Sequence, residues 1–476
     1  MTKISSPKRI GIFGHVGTQN LGDEIIIAAV LQNIRSRYPD AQICAFTFNP
    51  EDTRTRHSIP AFPIRRRKPS PQANVTQPAQ REAGFARPSA SAPDTPGGGL
   101  GVILKKIPLL FASLKALQHG LSAIRGFLEE LAFLERARKN LKGTDLLIIA
   151  GSGQLTDASG GAWAYPYTFF KWYLLSRLVG TRLAFVSIGT GWIDSSLSKF
   201  FLRTALRGAD YRSFREESAV QRVAALGVRG ENPIVPDLAY SLQKLSAEAT
   251  PASIASRKVV GINPIPFFHP VLWHEADQTT YEAYVDGHAD FALWLVSRGY
   301  SVIFFPTQLR ADPPVIGDVI AAMDRRQPGI SAQLLPTPQL HTGDDLLAAM
   351  AGMDFVVAAR FHGVLVSHLL GKPVLGVSYH QKTADLMARM GQQDCTLKIE
   401  DCRLETLSST FCFLESHQAA IRAEFARRVP ECRAALELQY QRVFGLLEPS
   451  TSSTTTLKTS AVPAKEPSNA RINYGS

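Results

Sequence analysis

Arg9-Ile10-Gly11-Ile12-Phe13-Gly14, followed by His15-Val16-Gly17-Thr18-Gln19-Asn20-Leu21-Gly22 and then Asp23-Glu24, decides the fold. A short apolar run ends in glycine, passes through a small-residue loop and enters Glu24 to Arg37, whose apolar residues recur at helical spacing. A second apolar run, Ala41 to Phe48, follows. Strand, helix and strand in this order form a βαβ unit, the opening of a parallel sheet. The alternation resumes at Asp145 to Ala150 (strand), Tyr167 to Val179 (helix), Leu183 to Ile188 (strand), Tyr211 to Phe214 (strand) and Glu216 to Leu226 (helix). After a linker over 241–257 a second set begins. It has strands at Val259 to Ile262, Ser301 to Phe305, Asp354 to Val357 and Pro373 to Val377, and helices at Tyr281 to Ser297, Asp344 to Met350 and Val364 to Leu370. The reading is therefore an α/β protein with two doubly wound domains in tandem. Open parallel sheets bind ligands beyond the carboxyl ends of their strands, so the site belongs in the cleft between the two.

The boundaries follow from composition. Residues 1–64 and 143–245 form the first domain and 255–448 the second. Between the two parts of the first domain, 65–100 starts with the basic run Arg65-Arg66-Arg67-Lys68 and continues rich in Pro, Ala, Ser and Gly. So little apolar matter does not offset the entropy of ordering, and a disordered insert is expected. The Ser/Thr-rich tail 449–476 reads the same way. Residues 101–142 carry eight Lys/Arg against three Glu, with Leu109, Leu110, Leu114, Leu117, Leu121, Ile124, Leu128 and Leu131 at helical spacing. Two readings compete there: a core helix with a solvated basic face, or a surface helix lying on an acidic membrane leaflet.

The chain has 476 residues, 45% apolar and 20% charged, with a net charge of +11. That length asks for more than one domain, and the charge favours anionic partners. No aromatic-interleaved basic signature appears, which argues against nucleic acid. The five cysteines, Cys44, Cys395, Cys402, Cys412 and Cys432, form no CxxC pair and read as reduced, mostly buried thiols. The N-terminus lacks a signal-peptide pattern, and no stretch reaches the ~18 uninterrupted apolar residues of a spanning helix. A cytoplasmic protein, soluble or peripheral on the inner face of the membrane, is expected.

Five strand-end motifs can carry chemistry. The Gly14 to Glu24 loop brings backbone N–H groups (Gly14, Gly17) close to a ligand at a helix N-terminus, although Asp23 and Glu24 equally suit the helix dipole. Ala150-Gly151-Ser152-Gly153-Gln154-Leu155-Thr156-Asp157 is a second such corner, either a plain turn or a ligand contact at Gly151 and Gly153. Arg215, in Ser213-Phe214-Arg215-Glu216-Glu217-Ser218, stands where a strand gives way to a helix, placed to fork a carboxylate or phosphate or to pair with a glutamate. In Ala358-Ala359-Arg360-Phe361-His362-Gly363 a permanent cation precedes a group that exchanges protons near neutral pH. Val377-Ser378-Tyr379-His380-Gln381-Lys382 adds a third cation, Lys382.

Together these motifs resemble the polysaccharide pyruvyl transferase family. The match lies in their order: Gly17 to Glu24, Gly151 to Asp157, Arg215-Glu216-Glu217-Ser218, Pro236-Asp237, Arg360-Phe361-His362-Gly363 and Tyr379-His380-Gln381-Lys382. The glycine corner departs from the family pattern in being Gly-Ser-Gly, and the residue after Arg215 is glutamate instead of aspartate. The resemblance implies two Rossmann-like domains facing a cleft, the glycosyltransferase-B arrangement. It also implies transfer of a pyruvyl group from phosphoenolpyruvate onto two saccharide hydroxyls, forming a ketal in surface or exopolysaccharide biosynthesis. On that reading Arg215, Arg360 and Lys382 bind the donor, and His362 is the general acid. Asn20, Asp23 and Glu24 contact the acceptor, and neither metal nor cofactor takes part. Separately, the charge and periodicity of 101–142 would suit a lipid-linked acceptor held at an acidic inner leaflet. The rival readings are a sugar-nucleotide glycosyltransferase of the same architecture and a non-catalytic saccharide-binding protein.

Overall fold

The computed structural model describes residues 7–14, 17–66, 108–158, 160–243, 257–273 and 275–448; for 108–121 and 123 the backbone alone is described. Most of the expected insert 65–100, most of the linker 241–257 and the tail 449–476 lie outside the described residues.

The first sheet contains β1 (Arg9–Phe13), β2 (Gln42–Thr47), β3 (Ala61–Pro63), β4 (Leu146–Ala150), β5 (Arg182–Ile188) and β6 (Tyr211–Phe214). All pairs are parallel, in the order β3-β2-β1-β4-β5-β6. Every residue of β4 is buried, as helices on both faces require. The helices are α1 (Leu21–Arg37), α2 (Pro50–His57), α3 (Pro108–Leu141), α4 (Tyr165–Val179), α5 (Ser196–Gly208) and α6 (Glu217–Ala225). The strand order reverses between β1 and β4, so the loops leaving these two neighbours diverge and open a crevice at their carboxyl ends.

The second sheet contains β7 (Val259–Asn263), β8 (Ser301–Phe304), β9 (Phe355–Ala358), β10 (Val374–Ser378) and β11 (Thr396–Lys398), in the order β11-β10-β9-β7-β8, again all parallel. Its helices are α7 (Gln278–Ser297), α8 (Asp312–Arg326), α9 (Gly343–Ala351), α10 (Phe361–Leu369), α11 (Gln381–Arg389), α12 (Leu404–Ser416) and α13 (Gln418–Gly445). The reversal falls between β7 and β9, next to Arg360 and His362.

An aromatic core fills the outer face of the first sheet. Trp172 lies 5.6 Å from Phe13 and 4.7 Å from Phe46, and its indole N–H donates to Ile64 O at 3.0 Å. A larger core begins on the opposite face, with Ile10, Ile12 and the residues of α1, and continues through the second domain.

Several elements differ from the sequence reading. Helices α2, α5, α8, α11, α12 and α13, and strands β3 and β11, were not expected; the two strands have three residues each, too few for a periodic signal. Helix α1 starts at Leu21, three residues before the expected Glu24. The insert does not begin as disorder. Arg65 is stacked 4.9 Å from the Phe48 ring centre and 4.5 Å from that of Tyr165, and Arg66 donates to Gly126 O at 2.6 Å and pairs with Glu129 at 2.9 Å. Ring faces and a carbonyl supply what the local composition lacks. Helix α13 does not stay with the second domain: Gln439 accepts from Ser213 Oγ at 2.5 Å and donates to Ser187 Oγ at 2.9 Å, both in the first sheet. Helix α3 divides between its two readings. Phe133, Ala137 and Leu141 are buried in the aromatic core, whereas Ile124, Phe127, Leu128 and Leu131 are exposed. Of the cysteines, Cys395 and Cys402 are buried, Cys44 and Cys432 half-buried and Cys412 exposed, and all five are free thiols. No helix among the described residues is long and apolar enough to cross a membrane.

Candidate functional site

The first half of the site is the start of α1. Asn20 caps it, its side-chain oxygen accepting from Gly22 N at 3.1 Å. Asp23 and Glu24 follow in the first turn, 5% and 2% exposed. Glu24 faces its own loop: Oε1 accepts from Gly17 N at 3.1 Å, and Oε2 pairs with His57 Nε2 at 2.7 Å. Asp23 lies near enough to Arg215 to help hold its charge. Gly14 closes β1, its N–H reaching Phe46 O at 3.3 Å.

Loop and domain meet directly. Leu21 N donates to Thr307 O at 2.9 Å, and Leu309 N donates to Gln19 O at 3.0 Å. Gly22 has a specific steric role: a β-carbon there would come within 2.0 Å of His362 Nδ1. The imidazole of the second domain therefore rests on the bare backbone of α1. The corner after β4 turns through two positive φ angles, 43° at Gly151 and 69° at Ser152, which redirect the chain at the crevice. A β-carbon on Gly153 would stand 3.7 Å from the Arg215 guanidinium.

Arg215 is buried at the end of β6. It donates to Asp237 Oδ2 at 2.9 Å, lies 3.4 Å from Glu216 Oε2 and covers the ring of Phe361, from the second domain, at 4.5 Å. Burial opposes its charge, but Glu216, Asp237 and Asp23 outweigh that and raise its pKa above the ordinary range.

Arg360 is the N-cap residue of α10, and its Nε and Nη2 donate to Asp312 Oδ1 at 3.1 and 2.6 Å. The other oxygen of the fully buried Asp312 accepts from the backbone N–H groups of Thr307 (2.9 Å) and Gln308 (2.8 Å). One carboxylate thus fixes both the arginine and the turn that docks on the Gln19–Leu21 segment. His362, 8% exposed, occupies the first turn of α10.

Lys382 begins α11 and forms no ion pair among the described residues; its Nζ lies 5.8 Å from the centre of the Tyr379 ring. Lys382 and Arg215 line one cavity of about 500 Å³ with Glu216, Asp237, Phe361 and Arg389. Beside it, His380 caps α11, accepting from Lys382 N at 3.3 Å. Burial, and then the charges of Lys382, Arg222 and Arg215, push this imidazole down to about 4 against the pull of Glu216, so it is neutral at physiological pH.

The structure brings Arg215 and Lys382 onto one cavity, next to the helix turn that bears Arg360 and His362. It does not offer Arg215 and Arg360 as bare cations, since each has a buried aspartate. Asp312, Gly22, Gln154 and Arg389 are site residues that the sequence reading does not single out. Pro236-Asp237 stands in it only as a family mark. A usable signal exists for Gln154, which lies inside a quoted corner motif; for Asp312, far from Arg360 in the chain, there is none. Among the described residues no group of three or more His, Cys, Asp or Glu side chains has the arrangement of a metal site.

Two parallel sheets with facing switch points define the class: a two-Rossmann-domain enzyme fold of the glycosyltransferase-B kind. Solved structures agree on this. The MnaA–UDP structure from S. aureus superposes with a TM-score of 0.54 at 10% identity, covering 92% of this chain and 97% of that one. The UDP-GlcNAc 2-epimerase of Methanocaldococcus jannaschii gives 0.51 at 9%, covering 85% and 91%. The Neisseria meningitidis UDP-GlcNAc 2-epimerase bound to UDP-GlcNAc gives 0.50 at 11%, covering 92% and 100%. These identities speak for the fold alone. No curated protein matches the chain. The family model for polysaccharide pyruvyl transferase matches residues 20–381, and the chain belongs to that family.

Proposed function

We propose that the protein transfers a pyruvyl group from phosphoenolpyruvate to two hydroxyls of a saccharide, forming a cyclic ketal and releasing phosphate. The observation that carries this reading is the meeting of Arg215 and Lys382 on one cavity, beside the α10 turn with Arg360 and His362, in a chain of this family.

The donor is a small polyanion, so it needs several fixed positive charges. Arg215, Lys382 and Arg389 supply them from the cavity and Arg360 from the neighbouring cap. His362 donates a proton to the methylene carbon, leaving C2 electron-poor. A saccharide hydroxyl adds to C2 and gives its proton to a base. The C2–O bond to phosphate breaks, phosphate carries off the bonding pair, and the second hydroxyl closes the ring with loss of its own proton. Asp23, in the first turn of α1 and close to Arg215, is the carboxylate assigned the base role. Asn20 stands one turn away, on the acceptor side.

A lipid-linked acceptor fits the outer surface. The exposed Ile124, Phe127, Leu128 and Leu131 of α3, within the basic stretch 101–142, suit an acidic membrane leaflet. Leu128→Asp should release the protein from vesicles of phosphatidylglycerol and phosphatidylcholine at low salt; failure of the wild type to bind them removes the membrane from the reading, and equal binding by both proteins removes this face of α3 from it.

Calorimetry with phosphoenolpyruvate on the wild type and Arg360→Ala tests the donor. Binding is expected to the wild type and to be lost in the variant. Melting raised by a UDP-sugar and not by phosphoenolpyruvate would turn the reading to a sugar-nucleotide transferase.

A further inference from the structure

The corner after β4 carries a group that the proposed chemistry has not used. Gln154 is 2% exposed, yet neither its Oε1 nor its Nε2 meets a hydrogen-bond partner among the described residues. The backbone around it is well paired. Ser152 O accepts from Gly189 N at 3.0 Å, Leu155 N donates to Gly189 O at 3.4 Å, and Gln154 O accepts from Thr156 N at 2.8 Å. The segment is thus held in place on both sides of a side chain whose own polar atoms are unmatched. Buried amides are almost always hydrogen-bonded, and leaving both ends open is costly. A methionine or leucine would fill the same space without that cost.

The position borders the candidate site. The preceding residue, Gly153, backs onto Arg215, and β4 lies at the switch point of its sheet. The loop leaving the neighbouring strand β1 carries another buried polar atom without a partner among the described residues, Thr18 Oγ1.

The chemistry of the amide selects the ligand class. It presents one acceptor oxygen and two donor hydrogens. A phosphate or carboxylate only accepts; it would engage the NH₂ group and set negative charge against Oε1. A hydroxyl both gives and accepts, and two adjacent hydroxyls complement the two ends of an amide. We propose that Gln154 binds the saccharide acceptor through two of its hydroxyl groups; this rests on the pyruvyl-transfer reading above. The acceptor then lies along the corner 151–154, with Arg215 between it and the cavity of Lys382.

The test compares full-length wild type with Gln154→Met, which keeps the volume and removes the polar atoms. Without ligand, Gln154→Met should melt no lower than the wild type. A clearly lower melting temperature means that the amide has a structural partner, and overturns the proposal. Methyl galacto-, gluco- and mannopyranosides are then titrated into both proteins by saturation-transfer NMR. At least one should bind the wild type, and about tenfold more weakly the variant, the equivalent of about 1.4 kcal/mol. Equal binding by the two proteins, or no pyranoside binding to the wild type, overturns the assignment. Phosphoenolpyruvate should bind both alike in the calorimeter; its loss only in Gln154→Met would make the residue a donor contact and also overturn the assignment. If phosphoenolpyruvate binds neither protein, the pyruvyl-transfer reading fails, while the melting and pyranoside measurements still decide the role of Gln154.

Discussion

Arg215 and Arg360 occupy equivalent places, one in each domain. Each follows a strand of a parallel sheet, each precedes a helix, and each donates to a buried aspartate, Asp237 at 2.9 Å and Asp312 at 2.6 Å. Their surroundings differ. Asp237 caps the short turn after it, accepting from Ala239 N at 3.0 Å, and Arg215 reaches out of its domain to cover Phe361 of the other. Asp312 instead holds the 307–308 turn of its own domain and fixes Arg360 against it. One arginine therefore joins the domains and shapes the cavity wall, while the other positions the α10 turn that carries His362. A strand-end arginine held by a buried aspartate thus recurs in each half, in different surroundings.

The comparison is sharpest at His362. His362→Ala should lower turnover by about 10²–10⁴-fold, the usual contribution of a positioned acid, measured as acceptor-dependent phosphate release. Turnover close to wild type would place the proton elsewhere. Next comes stability. Removing one partner of a buried ion pair typically costs about 3–5 kcal/mol, and Arg215→Ala should fall in that range in urea unfolding. Arg360→Ala should cost less, because its side chain is 12% exposed against 4% for Arg215. The reverse order would break the division of duties drawn above.

Acid should act on the second domain. Burial pushes His288 to about 4 and His368 to about 3, and His380 lies at about 4. Once unfolded, these imidazoles bind protons from about pH 6.5 downward, whereas folded they do so only near pH 4 and below. The unfolded chain thus holds more protons in that window, and stability falls as the pH drops from about 6.5 to 4. Each imidazole contributes at most about 1.4 kcal/mol to that fall for every pH unit crossed. Thermal unfolding followed against pH should show this decline, and His288→Gln should flatten it. The smallest effect expected is at Gly22. Alanine there improves helix propensity by about 1 kcal/mol, yet its methyl must displace His362. Turnover should drop about tenfold, and overpacking, typically about 1–3 kcal/mol, should cancel or exceed the propensity gain; unchanged turnover and stability would mean that His362 is free to move.

Much of this is legible in the sequence. The β1 and β4 runs are apolar throughout because both faces of a parallel sheet are covered, and that pattern alone locates them. The motif loops are legible because glycine, asparagine and acidic residues cluster where strands end and helices begin. Helices α5, α8 and α13 escape the sequence reading although apolar residues recur along them at helical spacing, as Phe201, Leu202, Ala205 and Leu206 do in α5. Arg65 reads as part of a disordered insert because its stabilising partners, the faces of Phe48 and Tyr165, are supplied by packing and not by neighbouring sequence.

By itself the sequence determined two parallel α/β units, the strand-end positions of Arg215, Arg360, His362 and Lys382, and the resemblance that the family match over residues 20–381 bears out. Only the tertiary structure decided which of these groups meet. It set Asp237 and Asp312 against the two arginines, turned Glu24 toward His57, laid His362 on Gly22 and left the amide of Gln154 without a hydrogen-bond partner among the described residues. The physical reason is range. Periodicity and turn chemistry act within a few residues, whereas ion pairs, ring contacts and unmatched polar atoms depend on segments brought together only when both sheets are formed and the domains have met.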